Sequence, residues 1–181
     1  MRVLQKLVID IDSDAAWRAL HSPRAVTELY APLMMLEPLD REGLPTSWQP
    51  GGEVAVQLSL AGIVPMGRQL IHVSDRIVAD PAAGSGGGDV RIFRDSGIPL
   101  SGPLAGLDVW DHQIAVSPAP GDPSRTLWRD RLVIGGATAP LVWPVLWGMW
   151  QWRATRLRAI APTWAHDPEL QTGGREGHAD A

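Results

Sequence analysis

The 181-residue chain contains no cysteine, which excludes disulfide staples, a thiolate nucleophile and any cysteine-based zinc site. Asparagine is also missing, lysine occurs only at Lys6, and tyrosine and phenylalanine occur once each, at Tyr30 and Phe93. The formal net charge is -4 and no basic stripe interrupts the acidic balance, so the clustered cation footprint of a nucleic-acid binder is absent. No basic segment followed by an unbroken apolar run stands at the N-terminus, which points to a cytoplasmic protein. The most hydrophobic stretch, 137 to 152, is shorter than the ~20 residues of a bilayer span. It also holds Pro140 and Pro144, so stable membrane insertion is not expected.

Catalytic and metal motifs are equally scarce. His21, His72, His112, His166 and His178 are scattered, and no His-Glu-x-x-His pattern suggests a metal. No Gly-x-Ser-x-Gly elbow is present, and the glycine run 84 to 88 lacks the Lys-Ser/Thr of a phosphate loop, so it reads as a hairpin tip. No cofactor is implied.

What the chain has in quantity is tryptophan, nine in all. Trp143, Trp147, Trp150, Ala154, Leu157, Ala161 and Trp164 follow alternating steps of four and three, the spacing that lines one face of a helix. Gln151, Arg153, Arg156 and Arg158 lie off that stripe, so the segment reads as a long amphipathic helix. Bulky rings beside Gly148, Ala154 and Ala161 favour a lined cavity, against the competing reading of a filled core. Thr138 is the expected N-cap, and Pro144 an early kink.

Upstream, alternation predicts strands near 3–11, 33–39, 52–60, 67–78, 89–94, 107–116 and 125–134. Short helices are expected from Asp12–Ser13 to Leu20 and from Ser22–Pro23 to Tyr30. The short connections between strands suit hairpins, hence an antiparallel sheet. Residues 1–165 form one domain in this reading, and 166–181 a tail without periodicity.

Two neighbouring strands carry the most telling polar residues. Trp110, His112, Ile114 and Val116 share one face, and Thr126, Trp128, Asp130, Leu132 and Ile134 share another. Pairing Val116 with Thr126 sets His112 opposite Asp130, within reach of an imidazole–carboxylate contact. That pair either satisfies itself in the core or offers a polar handle to a ligand.

With Phe93-x-Asp95, Gly102-Pro103-Leu104, Trp110-x-His112, Thr126-x-x-x-Asp130 and the long helix bearing Arg153, the chain resembles the START-like superfamily, also called SRPBCC or Bet v 1-like. The resemblance covers about residues 3 to 165 and is nearest to the bacterial polyketide cyclase-like branch. It implies an α+β helix-grip fold: a curved antiparallel sheet around the C-terminal helix, with a cavity entered near the two short helices. The expected partner is a lipophilic small molecule of lipid, polyketide or aromatic type, contacted by Trp110, His112, Trp128, Asp130, Trp143, Trp147 and Trp150. A cyclase or dehydratase-like enzyme would use His112 and Asp130 as an acid–base pair, with Tyr30, Arg68 or Arg91 polarising a carbonyl. A third reading is a protein-interaction module that docks a partner on the Trp-rich helix. It would leave Trp147 and Trp150 exposed, whereas a ligand cavity would bury both.

Overall fold

A computed structural model describes residues 1–79, 89–168 and 170. Among the described residues, the named elements follow the order β1 (Arg2–Ile9), α1 (Ser13–His21), α2 (Pro23–Tyr30), β2 (Met34–Pro38), β3 (Glu53–Leu60), β4 (Val64–Val78), β5 (Val90–Asp95), β6 (Val109–Ala119), β7 (Asp122–Gly135) and α3 (Ala139–Trp164). The strands form one sheet, β1-β7-β6-β5-β4-β3-β2, with every neighbouring pair antiparallel. Because β1 and β2 lie at opposite edges, α1 and α2 carry the chain from one edge to the other. The 26-residue α3 contacts β1, β7 and both short helices. This is the helix-grip fold.

Local chemistry explains most boundaries. The Asp12 carboxylate accepts from the Asp14 and Ala15 N–H groups and so starts α1. The Ser22 hydroxyl accepts from Ala25 N–H, and Pro23 occupies the first turn of α2, where its missing N–H costs nothing. Gly67 and Gly102, both at positive φ, let the 96–104 loop lie directly on β4. A Cβ on either would meet the other's backbone, so this approach brings Pro103 and Leu104 to the interior.

Four expectations need correcting. Thr138 stands at the expected N-cap position, but with an α-region backbone and no side-chain capping bond; its side chain instead lies over Gly106, where no Cβ displaces it. The β6–β7 register is slipped by two residues, with Val116 opposite Trp128 and Ile114 opposite Asp130. The cause is at the hairpin end: Ala119 pairs with Asp122 around Pro120–Gly121, yet the next pair is Pro118 with Thr126, so Pro123, Ser124 and Arg125 bulge from the ladder.

Third, Trp147 is 47% exposed, while Val142, Leu146 and Trp150 are buried. A strict four-three repeat advances 3.5 residues per turn against 3.6 for a straight helix, a drift of about 20° per heptad. Counting back from the buried Trp164, that drift carries the early indoles to the flank of the buried face. Fourth, Arg153 is 3% exposed and faces inward, because a buried carboxylate on β7 requires a counter-charge.

The hairpin tip expected at 84–88 lies outside the described residues, as does most of the tail expected from His166. Of that tail, Asp167 is ion-paired with Arg24, and Leu170 is buried in the main hydrophobic cluster.

Candidate functional site

Two regions lie under α3. Toward its C-terminal end, Ala154, Leu157, Ile160, Ala161 and Trp164 pack solidly with Ala16, Leu20 and Leu29 of the short helices and with Trp128. Toward its N-terminal end, the sheet curves away and leaves a cavity of about 530 Å³. Its α3 wall is Leu141, Val142, Val145, Leu146, Met149, Trp150 and Arg153. The sheet contributes Met34, Val56, Leu58, Ile71, Phe93 and Ile114, among others, and Trp48 closes part of the wall from the loop before β3.

The volume falls within the several hundred Å³ usual for small-molecule sites. A void of that size is not an incidental packing defect. Among its lining residues, Leu141, Val145 and Leu60 are exposed, which puts an opening between the start of α3 and the β3–β4 hairpin rather than only at the short helices.

One wall is polar. His112 Nε2 lies 3.0 Å from Asp130 Oδ1, both residues being buried. Their β6 and β7 positions are diagonal rather than opposed, so the contact survives the register slip because the imidazole reaches across. Trp150 Nε1 donates to the same carboxylate oxygen at 2.8 Å, and Arg153 Nη1 donates to Oδ2 at 2.9 Å. Burial by itself would raise the Asp130 carboxyl; the Arg153 charge and the His112 and Trp150 contacts overcome it and hold the group down at about 2.

His112 directs Nε2 at that carboxylate, and its imidazole borders the cavity. Arg153 also stacks over the Tyr30 ring at 4.5 Å. Burial pushes the Tyr30 hydroxyl up to about 12, the nearby Arg153 charge opposing and the Asp130 and Asp95 charges assisting. Asp95, directly opposite His112 across β5–β6, accepts from His72 N–H, Gly97 N–H and Trp110 Nε1.

Of the side chains expected at the ligand, Trp110, His112 and Trp150 border the cavity. Asp130 stands behind His112. Trp128 is 1% exposed in the filled region, Trp143 Nε1 donates to the Arg2 carbonyl at the β1 edge, and Trp147 faces outward. Tyr30 borders the cavity, whereas Arg91 is engaged by Asp14 and Ser13 outside it and Arg68 is not among the lining residues. Sequence reasoning left out Arg153, Gln69 and Trp48. The first was signalled by its three-residue step from Trp150; Trp48 sits in a loop with no periodicity to mark it. Among the described residues, no cluster of three His, Asp or Glu side chains suits a metal ion, and no helix is long and apolar enough to cross a membrane.

No family profile matches the chain. No curated protein is similar to it in sequence. Solved structures do share its architecture. A hypothetical protein from Helicobacter pylori superposes with a TM-score of 0.58 at 12% identity, over 88% of this chain and 86% of that one. A Chromobacterium violaceum protein gives 0.57 at 14% identity, covering 88% and 95%. Truncated norcoclaurine synthase from Thalictrum flavum gives 0.54 at 12% identity, covering 89% and 92%. At such identities the likeness shows the fold alone, the helix-grip architecture.

Proposed function

We propose that this protein binds a lipophilic small molecule in the cavity between α3 and the sheet. The observation that carries the reading is an apolar enclosure of about 530 Å³ with a single polar wall, the combination that gives a ligand both burial and orientation. The fold type supports it, as does the resemblance to the polyketide cyclase-like branch. Native mass spectrometry of the purified protein, with organic extraction of whatever it retains, is the first test. Val142→Phe, which fills the space beside Leu146, should abolish retention while the chain stays folded. A protein that retains nothing and binds no apolar probe would remove this reading.

The dyad favours a second reading. His112, backed by the Asp130 carboxylate, is arranged as a general base or acid toward the cavity, as a cyclase or dehydratase-like reaction requires. A His112→Ala variant that keeps the ligand but stops its conversion would select the enzyme. Unchanged behaviour would leave a passive carrier. The exposure criterion divides the helix: Trp150 is fully buried and Trp147 is not, so of these two indoles only Trp147 could serve a partner-docking role.

A further inference from the structure

On the side of the sheet away from the cavity, we infer that the outer face docks an acidic, amphipathic helix of a protein partner. The three helices pack against the inner face, and the outward positions of β1, β7, β6, β5 and the 73–78 stretch of β4 are left uncovered by them. One row across those strands reads Arg76, Ile92, Ala115, Arg129 and Lys6. The next reads Ser74, Arg94, Gln113, Arg131 and Leu4. With Arg2 on β1, six cations stand on this face against one outward carboxylate, Asp111, in a chain whose acids outnumber its bases by 20 to 16. No basic run marks them in the sequence, because each cation alternates with an inward side chain and the strands lie far apart along the chain.

Asp111 bridges Arg94 at 2.6 Å and Arg131 at 2.9 Å, which fixes two guanidinium groups while neutralising one charge. Arg129 donates to the Ser117 hydroxyl, its Nε has no partner, and Arg2, Lys6, Arg76 and Arg129 have no acidic partner among the described residues. Arg129 stands directly opposite Lys6, a like-charge pairing that weakens a sheet unless an anion lies over it. Between these cations is a shallow depression lined by Leu4, Ile92, Gln113, Ala115, Arg129 and Arg131. An apolar floor with a cationic border complements a helix that sets an aliphatic side chain between carboxylates one turn apart. A nucleic acid fits less well, because no aromatic side chain stands at the outward positions of these strands to stack on a base. A bilayer fits less well too: Leu4 rises no higher from the pleat than the longer arginines around it, so their charges meet the surface before it reaches hydrocarbon.

The test is calorimetric titration of the intact chain with a helical Leu–Glu amphipathic peptide, its Leu–Lys counterpart, phosphatidylserine vesicles and a single-stranded oligodeoxynucleotide. The Leu–Glu peptide should bind most tightly and the Leu–Lys peptide not at all, with the Gln113 and Ala115 amide signals moving in a ¹H–¹⁵N spectrum. Lys6→Glu, which sets a carboxylate opposite Arg129 and so does not endanger the strand pair, should weaken that binding about fivefold at low salt, and Arg76→Glu by a similar factor. Arg41→Glu, the same charge change in the loop between β2 and β3, should stay within about twofold of the parent. A Leu–Glu peptide that does not bind, tighter binding of the vesicles or the oligonucleotide, or an equal loss in all three variants would overturn the inference. None of these results bears on whether the cavity retains a ligand.

Discussion

The two halves of α3 differ in side-chain size and do opposite things. From Ala154 to Trp164 the helix is wedged among α1, α2 and β7, and small residues at Ala154 and Ala161 let those elements approach closely. From Leu141 to Arg153 the helix has the sheet on only one side of an open space, and large side chains line that space without filling it. The junction is the Asp130–Arg153–His112–Trp150 cluster. The contrast teaches that the tryptophan content does not itself create the hollow: Trp128 and Trp164 fill one half while Trp150 walls the other.

The largest expected effect falls at the junction. Asp130→Ala leaves Arg153 buried without its counter-charge and should cost about 3–5 kcal/mol in chemical denaturation at neutral pH. Because the folded carboxyl is held below its unfolded value, the stability it contributes is fully present above about pH 4 and is lost as pH falls through about 2. The variant's deficit relative to the parent should therefore narrow in acid, and a pH-independent difference would assign the loss to packing alone.

Next comes the direct contrast of the halves. Leu157 and Leu146 are almost equally buried, at 2% and 3% exposure. Leu157→Ala should cost near the upper end of the 2–5 kcal/mol span for such deletions, because filled surroundings relax little. Leu146→Ala, with open space on one side, should cost about 2 kcal/mol or less. Equal losses would break the distinction between filled and hollow.

Alkaline titration gives a smaller signal at a single residue. Tyr30 is the only tyrosine, so phenolate absorbance reports it without interference. Its absorbance should rise near pH 12 in the folded chain and near 10 after denaturation. The sign follows from the raised folded value: the contribution is complete below about pH 10 and disappears as pH climbs through about 12. Titration near 10 in the folded chain would mean that the hydroxyl faces open water. The smallest effect belongs to the exposed Trp147, where Trp147→Ala should change stability by no more than about 0.5 kcal/mol and leave ligand retention intact. Loss of binding in that variant would move the site to the outer face of α3.

The strands and short helices were legible because alternation and caps act locally: Asp12, Ser22 and Pro23 do what their chemistry suggests. The His112–Asp130 contact was legible through shared faces, and it tolerated a wrong register because the parity of the two strands was unchanged. Harder to read were features set by the meeting of distant segments. Pro123–Arg125 bulge at a hairpin whose turn alone gives a different pairing; Arg153 looks like a surface arginine until β7 supplies its carboxylate; the outward turn of Trp147 arises from helical drift summed over several turns. The cavity itself is a property of sheet curvature, and no short stretch of sequence encodes it.

The most direct test uses the indoles as reporters in a ¹H–¹⁵N spectrum while 1-decanol is added. The Nε1–H signals of Trp48, Trp110 and Trp150, which border the cavity, should shift together and saturate, while those of Trp17 and Trp147 stay in place. Movement confined to Trp147 and Trp143, or no movement at all at Trp48, Trp110 and Trp150, would contradict an interior binding site.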